Sequence, residues 1–225
     1  MPNKPADKDN SISQKFHSNK TIEQPRIGIT FLRHGRSLAD DEGVHEGRYD
    51  SPLTEEGRSQ AEKRGQDFAS QGLGCRLIIS SPLKRAQETA QILAKYLDIP
   101  VETDADWAER NNGLLAGLSF DEASSRYPRP SFRNPYERIG INGESEWGLF
   151  CRAGQAVEKI IQRGPGQYLV VAHGHILNAA LCTIFGVVPS ANDQGLTFRL
   201  RDLGYLRLTY IPREHRWVVE EFRNH

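Results

Sequence analysis

The chain has 225 residues and carries 29 Lys and Arg against 29 Asp and Glu, so its formal net charge is zero. A chain of this length buries an adequate core as a single α/β domain. The balanced charge argues against a general nucleic-acid or membrane-surface binder, which would show a basic excess. No apolar stretch approaches the ~20 residues that a membrane span needs.

The cysteines and the N-terminus indicate a compartment. The three cysteines are widely spaced and odd in number, which fits neither a disulfide framework nor a metal-binding knuckle: Cys75, Cys151 and Cys182. The N-terminus lacks the apolar core that a signal peptide needs. A reducing cytoplasm is therefore the expected location.

The N-terminal segment, residues 1–25, is polar, with scattered apolar residues and two prolines among Lys, Asp, Asn and Ser. Such a segment buries too little apolar area to offset the entropy of the chain. We expect residues 1–25 to be a disordered tail, and residues 26–225 to form the folded domain.

Strand and helix patterns alternate after this tail. An apolar run predicts a buried strand over residues 26–33, which a polar loop follows. Thr54 and the two acids behind it predict a helix that runs to about residue 71. A strand over 76–80 comes next, and then a helix with Pro82 at its first position.

The second half adds strands and helices in the same alternation. The predicted elements are a strand at 101–103, a helix at 145–163, a strand at 167–172, a helix at 176–185, and strands at 204–211 and 216–222. The last two strands form a hairpin around residues 212–215. The pattern predicts a three-layer α/β/α sandwich with a mostly parallel central sheet, a C-terminal hairpin and a short cap insertion at about 118–142.

Two predicted strands end on the same pair of residues. The strand at 26–33 leads into Arg33, His34 and Gly35, and the strand at 167–172 leads into His173 and Gly174. In an open α/β sheet, ligands bind outside the carboxyl ends of the strands. Two imidazoles and an arginine at one rim suit an anionic substrate and a histidine nucleophile.

These motifs and four others occur in an order that resembles the histidine phosphatase superfamily, the phosphoglycerate-mutase-like enzymes. The resemblance spans about residues 26 to 222. Its elements are LRHG at 32–35 with Ser37, GR at 47–48 before DSPLT at 50–54, SSPLKRA at 80–86 with TA at 89–90, ER at 109–110 with Gly113, GES at 143–145 and AHGH at 172–175. A lone Arg-His-Gly arises often by chance, whereas six elements in one order do not.

The resemblance implies a role for each of five residues. His34 would be the nucleophile that attacks phosphorus and forms a phosphohistidine. Arg33, Arg85 and His173 would hold the phosphoryl oxygens and stabilise the transition state. Glu109 would protonate the leaving alkoxide and then activate water. The nearby phosphate would raise the pKa of the Glu109 carboxyl group and help it to stay protonated. The resemblance implies neither a metal nor another cofactor, because cationic side chains take that place.

Other residues have weaker assignments. Ser37, Arg110 and Gly174 are candidate phosphate-binding residues, although Ser37 also fits the start of a polar loop. Glu109 lies outside clear secondary structure, so Asp106 and Glu122 stay open as alternatives for the general acid. A further set of residues is assigned a structural place: His45 in a loop, Glu144 or Ser145 at a helix cap or facing the pocket, and His175 at a helix start.

Two positions depart from the family pattern. The family often has an amide six residues after the nucleophile, where this chain has Asp40. A carboxylate there would repel phosphate, so we expect Asp40 to point away or to pair with Arg36. Arg36 itself replaces an acid or amide, and we expect it to neutralise the acidic run at 40–42 rather than to extend the anion site.

The cap insertion decides between a phosphatase and a mutase. It carries Arg126, Arg129, Arg133 and Arg138 with aromatic residues and prolines, and fits either a solvated loop or a lid that grips substrate. The mutases that the resemblance implies have a longer insertion with a Lys and paired Arg, whereas the insertion here is short and has no adjacent Arg pair. This sequence therefore predicts a metal-independent phosphomonoesterase acting on a small phosphorylated metabolite, with a mutase and a non-catalytic binding relative as alternatives. The oligomeric state, monomer or homodimer, stays open.

Overall fold

The strands form one mixed sheet in the computed structural model, which describes residues 25–224. The predicted polar tail falls outside these residues, except for residue 25. The strands are β1 (Ile27–Arg33), β2 (Leu77–Ser80), β3 (Val101–Thr103), β4 (Gly166–Ala172), β5 (Tyr205–Ile211) and β6 (Arg216–Arg223). Their order is β3-β2-β4-β1-β5-β6. Strands β3, β2, β4 and β1 are parallel, β5 is antiparallel to β1, and β6 is antiparallel to β5.

Helices cover both faces of this sheet, as predicted. The helices are α1 (Leu38–Glu42), α2 (Glu55–Ser70), α3 (Lys84–Leu97), α4 (Phe120–Arg126), α5 (Glu146–Gln162) and α6 (Gly174–Phe185). Alternate residues of β1 and β4 point to opposite faces: Phe31 and Val170 pack with α5 and α6, whereas Leu32 and Val171 pack with α2 and α3. The three-layer α/β/α architecture is therefore confirmed.

Side-chain caps explain where two of the long helices begin. The Thr54 hydroxyl accepts a hydrogen bond from the Gly57 N–H at 2.9 Å, and the Ser145 hydroxyl accepts one from the Gly148 N–H at 3.0 Å. Each hydroxyl satisfies a backbone donor that the helix leaves free. Glu144 does not cap this helix; its carboxylate pairs with Arg152.

The helix α3 begins later than the sequence predicts. Its first residue is Lys84, so Pro82 lies ahead of the helix rather than at its first position. The Ser81 hydroxyl accepts the Leu83 N–H at 3.2 Å, which forms a turn before the helix. The short helices α1 and α4 were not predicted either: α1 lies in the polar loop after β1, and α4 lies in the cap.

The carboxyl ends of three parallel strands meet at one edge of the sheet. Ala172 of β4 pairs with Arg33 of β1, and Val171 pairs with Ser80 of β2. The next residues extend these ladders, since the N–H of His34 donates to the Ala172 carbonyl and that of Ser81 donates to the Val171 carbonyl, both at 3.0 Å. This edge holds both histidines that follow the strands. Among residues 25–224, no helix is long and apolar enough to cross a membrane.

Candidate active site

His34 is fully buried directly after β1, and its two ring nitrogens have different partners. Nδ1 lies 2.7 Å from the carbonyl oxygen of Gly35, which only accepts hydrogen bonds, so Nδ1 carries the proton. Nε2 accepts a hydrogen bond from Nε of Arg85 at 3.2 Å. The ring is thus held as the neutral tautomer whose lone pair is on Nε2, the form that a nucleophile requires.

The glycine after His34 lets two backbone segments approach closely. A Cβ atom on Gly35 would lie 2.6 Å from the carbonyl oxygen of Gly57, in the first turn of α2. A Cβ atom on Gly57 would in turn lie 2.1 Å from the carbonyl oxygen of Arg36. Neither distance leaves room for a side chain, so this contact explains why both positions are glycine. It also fixes the backbone that orients the His34 ring.

Arg85 lies on α3 and is fully buried with its guanidinium group beside His34. Its terminal nitrogens donate to the carbonyl oxygens of Tyr49 and Gly47, both at 2.9 Å. These two bonds fix the plane of the guanidinium group and leave Nε directed at His34. A rigid, planar cation beside the attacking nitrogen is suited to bind phosphoryl oxygens.

His173 lies between β4 and α6, and its ring centroid is 5.0 Å from that of His34. Its Nε2 contacts the Ser81 hydroxyl at 2.7 Å. Its Nδ1 is buried and has no hydrogen-bond partner among residues 25–224. A buried polar atom without a partner is costly, so this nitrogen is ready to meet an oxygen of a ligand.

Burial lowers the pKa of both imidazoles well below the usual range. For His34 the charges of His173, Arg33 and Arg85 add to this effect, while the hydrogen bond to Gly35 opposes it. For His173 the next cause after burial is the charge of Arg85. Both rings are therefore neutral at neutral pH, which keeps the His34 lone pair available.

Glu109 is buried, and its carboxylate lies at the N-terminus of α6. One oxygen accepts the N–H groups of Arg110 at 2.7 Å and Ile176 at 3.2 Å, and the other accepts the N–H of His175 at 3.1 Å. Burial alone would raise the pKa of this carboxyl group, but the adjacent His175 ring and these hydrogen bonds lower it well below its usual range. The protein thus holds Glu109 ionised. The raised pKa expected beside phosphate refers to the site with substrate bound and stays a prediction.

The alternatives to Glu109 lie elsewhere. Asp106 pairs with Lys159 at 2.7 Å, and Glu122 is an exposed residue of α4 that pairs with Arg126. The segment around Glu109 is instead held in place by Arg152 of α5, which donates to the carbonyl oxygens of Asp106 and Ala108, both at 2.7 Å. Sequence patterns missed Arg152, because nothing in its neighbourhood marks these distant partners.

Arg33 lines the cavity beside His34 and is paired with two carboxylates. One terminal nitrogen lies 3.1 Å from Asp202, and the other lies 3.6 Å from Asp40. The expectation that Asp40 points away or pairs with Arg36 is wrong. Asp40 also accepts the Ser37 N–H to cap its own helix, α1, and Arg36 pairs with Asp41 at 2.6 Å. Asp40 therefore stays at the rim of the anion site.

Ser37 brings a carboxylate into the site that the sequence analysis did not identify. Its buried hydroxyl donates to Oε1 of Glu46 at 2.5 Å and accepts the N–H of Asp40. Glu46 Oε1 lies 3.3 Å from Arg85 Nε, and Oε2 lies 4.0 Å from His34 Nε2. The only signal in the sequence was the position of Glu46, directly before the GR element at 47–48.

A cavity of about 760 Å³ opens above these groups. Arg33, Glu46, Glu109 and Gly174 line its inner end. Further out, apolar side chains from the cap, α5, α6 and the segment after α6 line it together with polar and charged ones. The apolar ones are Phe120, Phe150, Ala179, Val187, Val188, Leu196 and Phe198, and the charged ones include Arg129, Glu146, Asp193 and Arg199. Arg110 and His175 also face the cavity, and Arg110 donates to Glu146 and Asn112. His45 lines it too and packs against Phe120, with ring centroids 4.8 Å apart.

Three of the four arginines of the cap pair with carboxylates of the protein. Arg129 lies 3.0 Å from Asp193, Arg133 forms a close ion pair with the same carboxylate, and Arg126 pairs with Glu122. The two pairs with Asp193 join the cap to the segment after α6, and all three pairs leave less positive charge for a ligand. Within the part of the chain that the structure describes, no group of three or more His, Cys, Asp or Glu side chains is arranged to hold a metal ion.

Comparison with known proteins identifies the family. Residues 29–224 match the family model described as the histidine phosphatase superfamily (branch 1). The chain is 32% identical over 172 residues to the uncharacterized phosphatase PhoE of Bacillus subtilis (strain 168), an alignment that covers 75% of this chain and 82% of that protein. It is also 32% identical over 197 residues to the probable phosphoglycerate mutase GpmB of Yersinia pestis (strain Pestoides F), covering 86% and 88%.

Solved structures share the fold. A mycobacterial glucosyl-3-phosphoglycerate phosphatase in complex with VO3 superposes with a TM-score of 0.76 at 24% identity, over 89% of this chain and 100% of that one. YhfR of Bacillus stearothermophilus superposes with a TM-score of 0.71 at 23% identity, over 86% and 95%. The family match and the relatives confirm the resemblance that the motifs indicated: this chain belongs to the histidine phosphatase superfamily, branch 1.

Proposed function

We propose that this protein is a phosphomonoesterase that hydrolyses a small phosphorylated metabolite through a phosphohistidine on His34. The observation that carries the proposal is the state of the His34 ring, which is buried and neutral, with the proton on Nδ1 and the lone pair on Nε2. Membership of the superfamily supports an enzymatic role, and every group that the chemistry needs is present. That argues against a non-catalytic relative.

In the first step His34 Nε2 would attack phosphorus while the ester oxygen leaves. The Arg85 Nε–H, which bonds Nε2 in the free protein, would exchange that bond for one to a phosphoryl oxygen that enters beside it, as the lone pair engages phosphorus. Arg33 and the buried Nδ1 of His173 are the other groups assigned to those oxygens. Fixed cations and dipoles supply most of the stabilisation in phosphoryl transfer.

In the second step water would attack the phosphohistidine and release phosphate. Glu109 is suited to accept the proton of that water, because three N–H groups hold it as a carboxylate. To protonate the leaving alkoxide in the first step, it must first gain a proton. A dianionic phosphoryl group raises the pKa of a nearby carboxyl group, so substrate binding favours that proton.

Hydrolysis is favoured over mutase activity by the charges of the cap. Phosphoglycerate carries a carboxylate as well as a phosphate, and a mutase needs cations for both. Arg126, Arg129 and Arg133 already pair with carboxylates, which leaves less positive charge for a second anionic group. The phosphoglycerate mutase is the second candidate function, because a relative with that probable activity is 32% identical over most of the chain.

We further propose that the reaction needs no divalent metal, because Arg33, Arg85 and the N-terminus of α6 supply positive charge at the inner end of the cavity. A cytoplasmic location is proposed on the three unpaired thiols, Cys75, Cys151 and Cys182.

The test is a screen of phosphate release over a panel of monoesters in EDTA. We expect release that EDTA and added Mg²⁺ leave unchanged. A parallel assay measures interconversion of 2- and 3-phosphoglycerate with and without a bisphosphate primer, and we expect it to be slight. Primer-dependent interconversion faster than hydrolysis would replace the phosphatase with the mutase, and loss of hydrolysis in EDTA would overturn metal independence.

A further inference from the structure

Glu46 places a carboxyl group where a phosphoryl group has to bind. Its Oε1 is 3.3 Å from Arg85 Nε, and its Oε2 is 4.0 Å from His34 Nε2. Arg85 Nε itself is 3.2 Å from His34 Nε2. A phosphoryl group that reacts with Nε2 must put its oxygens beside this same Arg85 nitrogen. The carboxyl group and the phosphoryl oxygens are therefore neighbours within a few ångströms.

The segment around Glu46 is fixed on both sides, so the carboxyl group is not free to swing away with its backbone. The N–H of His45 donates to the Leu118 carbonyl at 2.9 Å, and the N–H of Tyr49 donates to the Glu46 carbonyl at 2.8 Å. The carbonyl of Gly47 accepts from Arg85 at 2.9 Å. The side chain is held by Ser37 and is only 17% exposed.

The groups around Glu46 shift the pKa of its carboxyl group in both directions. Burial raises the pKa of its carboxyl group, and the charge of Asp40 on α1 raises it further. Arg85 on α3, the Ser37 hydrogen bond and Arg33 on β1 lower it. His34, the titratable group nearest to Oε2, is neutral and adds no positive charge. In total the pKa of the Glu46 carboxyl group lies above its usual value.

Two anions that share one site hold one proton more tightly than either holds it alone. We propose that Glu46 binds a proton from solvent whenever an anion enters the phosphoryl site, and that the protonated carboxyl group donates a hydrogen bond to an oxygen of that anion. Ionised Glu46 then acts as a built-in competitor that occupies the site in the free protein. Glu46 is thus a positioning and specificity-determining residue for the phosphoryl group.

This arrangement predicts the sign of a pH dependence. Below the pKa of Glu46 in the free protein, the carboxyl group already carries its proton and anion binding needs no further one. Above that pKa, each added pH unit makes the proton about tenfold scarcer, so the affinity for the anion falls by about tenfold. Glu46→Gln removes this dependence, because an amide keeps the acceptor for Ser37 and adds a permanent donor.

The experiment is titration calorimetry with sulfate, which stays fully ionised in this pH range and so takes up no proton itself. Binding is measured at about pH 5 to pH 8 in pairs of buffers with different ionisation enthalpies, and the difference gives the protons taken up. For the wild type at the upper end we expect close to one proton per sulfate. For Glu46→Gln we expect none from this group and about tenfold tighter binding at a pH one unit above the carboxyl pKa. Glu62→Gln, an exposed carboxyl of α2, is the matched control and should behave as the wild type.

The outcomes separate this inference from the proposed function, on which it rests only for the location of the phosphoryl site. Sulfate binding without proton uptake by the wild type overturns it, and so does equal uptake by Glu46→Gln. Failure of sulfate to bind either protein overturns it as well. Phosphate release from monoesters is measured on the same wild-type preparation. Phosphate release with no proton uptake supports the phosphatase and rejects the role of Glu46. Proton uptake with no phosphate release supports the role of Glu46 and rejects the phosphatase.

Discussion

The inner end of the cavity and the cap both contain arginines, but the two regions hold these side chains in different ways. Arg85 at the inner end is fully buried, and backbone carbonyls fix its guanidinium plane. Arg129 in the cap is exposed and pairs with Asp193. An exposed ion pair is worth about 0–1 kcal/mol, whereas a buried cation without its partners costs several. Burial and backbone partners, rather than the number of arginines, therefore distinguish an anion site from a charged surface.

The largest effect is expected at the inner end, from His34→Ala. Turnover should fall to the background rate, because no neighbouring group replaces a covalent nucleophile. A brief quench in alkaline SDS should leave acid-labile phosphate on the wild-type protein and none on the variant. His215→Asn is the matched control, since His215 lies at the hairpin turn, does not line the cavity and has a φ of 47° that Asn tolerates. Phosphate on His173 in the wild type would reverse the roles of the two histidines.

Arg85→Lys is expected to be the next largest. A lysine has one nitrogen, so it cannot bond the Tyr49 and Gly47 carbonyls and also face His34. We expect about 10²-fold lower kcat and a free energy of unfolding lower by about 1–3 kcal/mol, from steady-state kinetics and urea unfolding. Arg58→Lys, on an exposed pair with Glu88 at 3.0 Å, should change neither measurably. Similar small changes in both variants would remove the distinction between the inner end and the surface.

Glu109→Gln should affect substrates unequally. An alkyl alkoxide needs its proton in the transition state, whereas a nitrophenolate leaves largely unaided. We expect about 10²–10³-fold loss in the single-turnover rate for an alkyl phosphate and about tenfold or less for p-nitrophenyl phosphate. Equal losses for both would mean that Glu109 only supports α6. Glu122→Gln, on the exposed face of α4, is the control.

Glu109→Gln should also change the stability of the protein, and the change should depend on pH. The pKa of Glu109 is lowered, so its stabilising contribution is fully present above the unfolded-state pKa of about 4.3 and is lost as the pH falls toward the folded-state pKa. At neutral pH the Gln variant should unfold with about 1–3 kcal/mol less free energy, because an amide cannot accept all three N–H groups. The difference between the two proteins should shrink below about pH 4. A gap that is independent of pH would show that the carboxylate charge does not contribute.

Local patterns in the sequence predict some features of the structure and miss others. The strands and the residues at their ends were predictable, because burial gives an apolar run and parallel strands finish at one edge. That is why His34 and His173 were expected together, and the rings are indeed 5.0 Å apart. The caps at Thr54 and Ser145 were equally local, since each involves residues three positions apart.

The parts that were missed depend on partners far along the chain. Glu46 is in the site because Arg85 on another helix faces it, and Glu109 is ionised because the first turn of α6 donates to it. Asp40 pairs with Arg33 rather than with Arg36, because the capping box with Ser37 holds its side chain toward the site. No local pattern encodes such distances. The short helices α1 and α4 were missed for a related reason, since each is too short for an apolar periodicity to appear.

The smallest effect is expected in the cap, from Asp193→Asn. Asp193 accepts from Arg129 and Arg133 and has a φ of 57°, which Asn also adopts without added strain. Loss of this carboxylate should change the free energy of unfolding by less than about 1 kcal/mol.

The Asp193→Asn substitution also frees two guanidinium groups near the mouth of the cavity, which Arg129 and Asp193 line. We therefore expect kcat/KM for 3-phosphoglycerate to rise by about two- to fivefold relative to p-nitrophenyl phosphate at low salt, and the gain to fade above about 0.15 M salt. Glu122→Gln releases Arg126 from an equally exposed pair that does not line the cavity, so its ratio should stay unchanged. A drop in the ratio for Asp193→Asn, or an equal rise in both variants, would mean that the cap arginines do not sense the substrate, and the contrast between the two regions would then be one of stability alone.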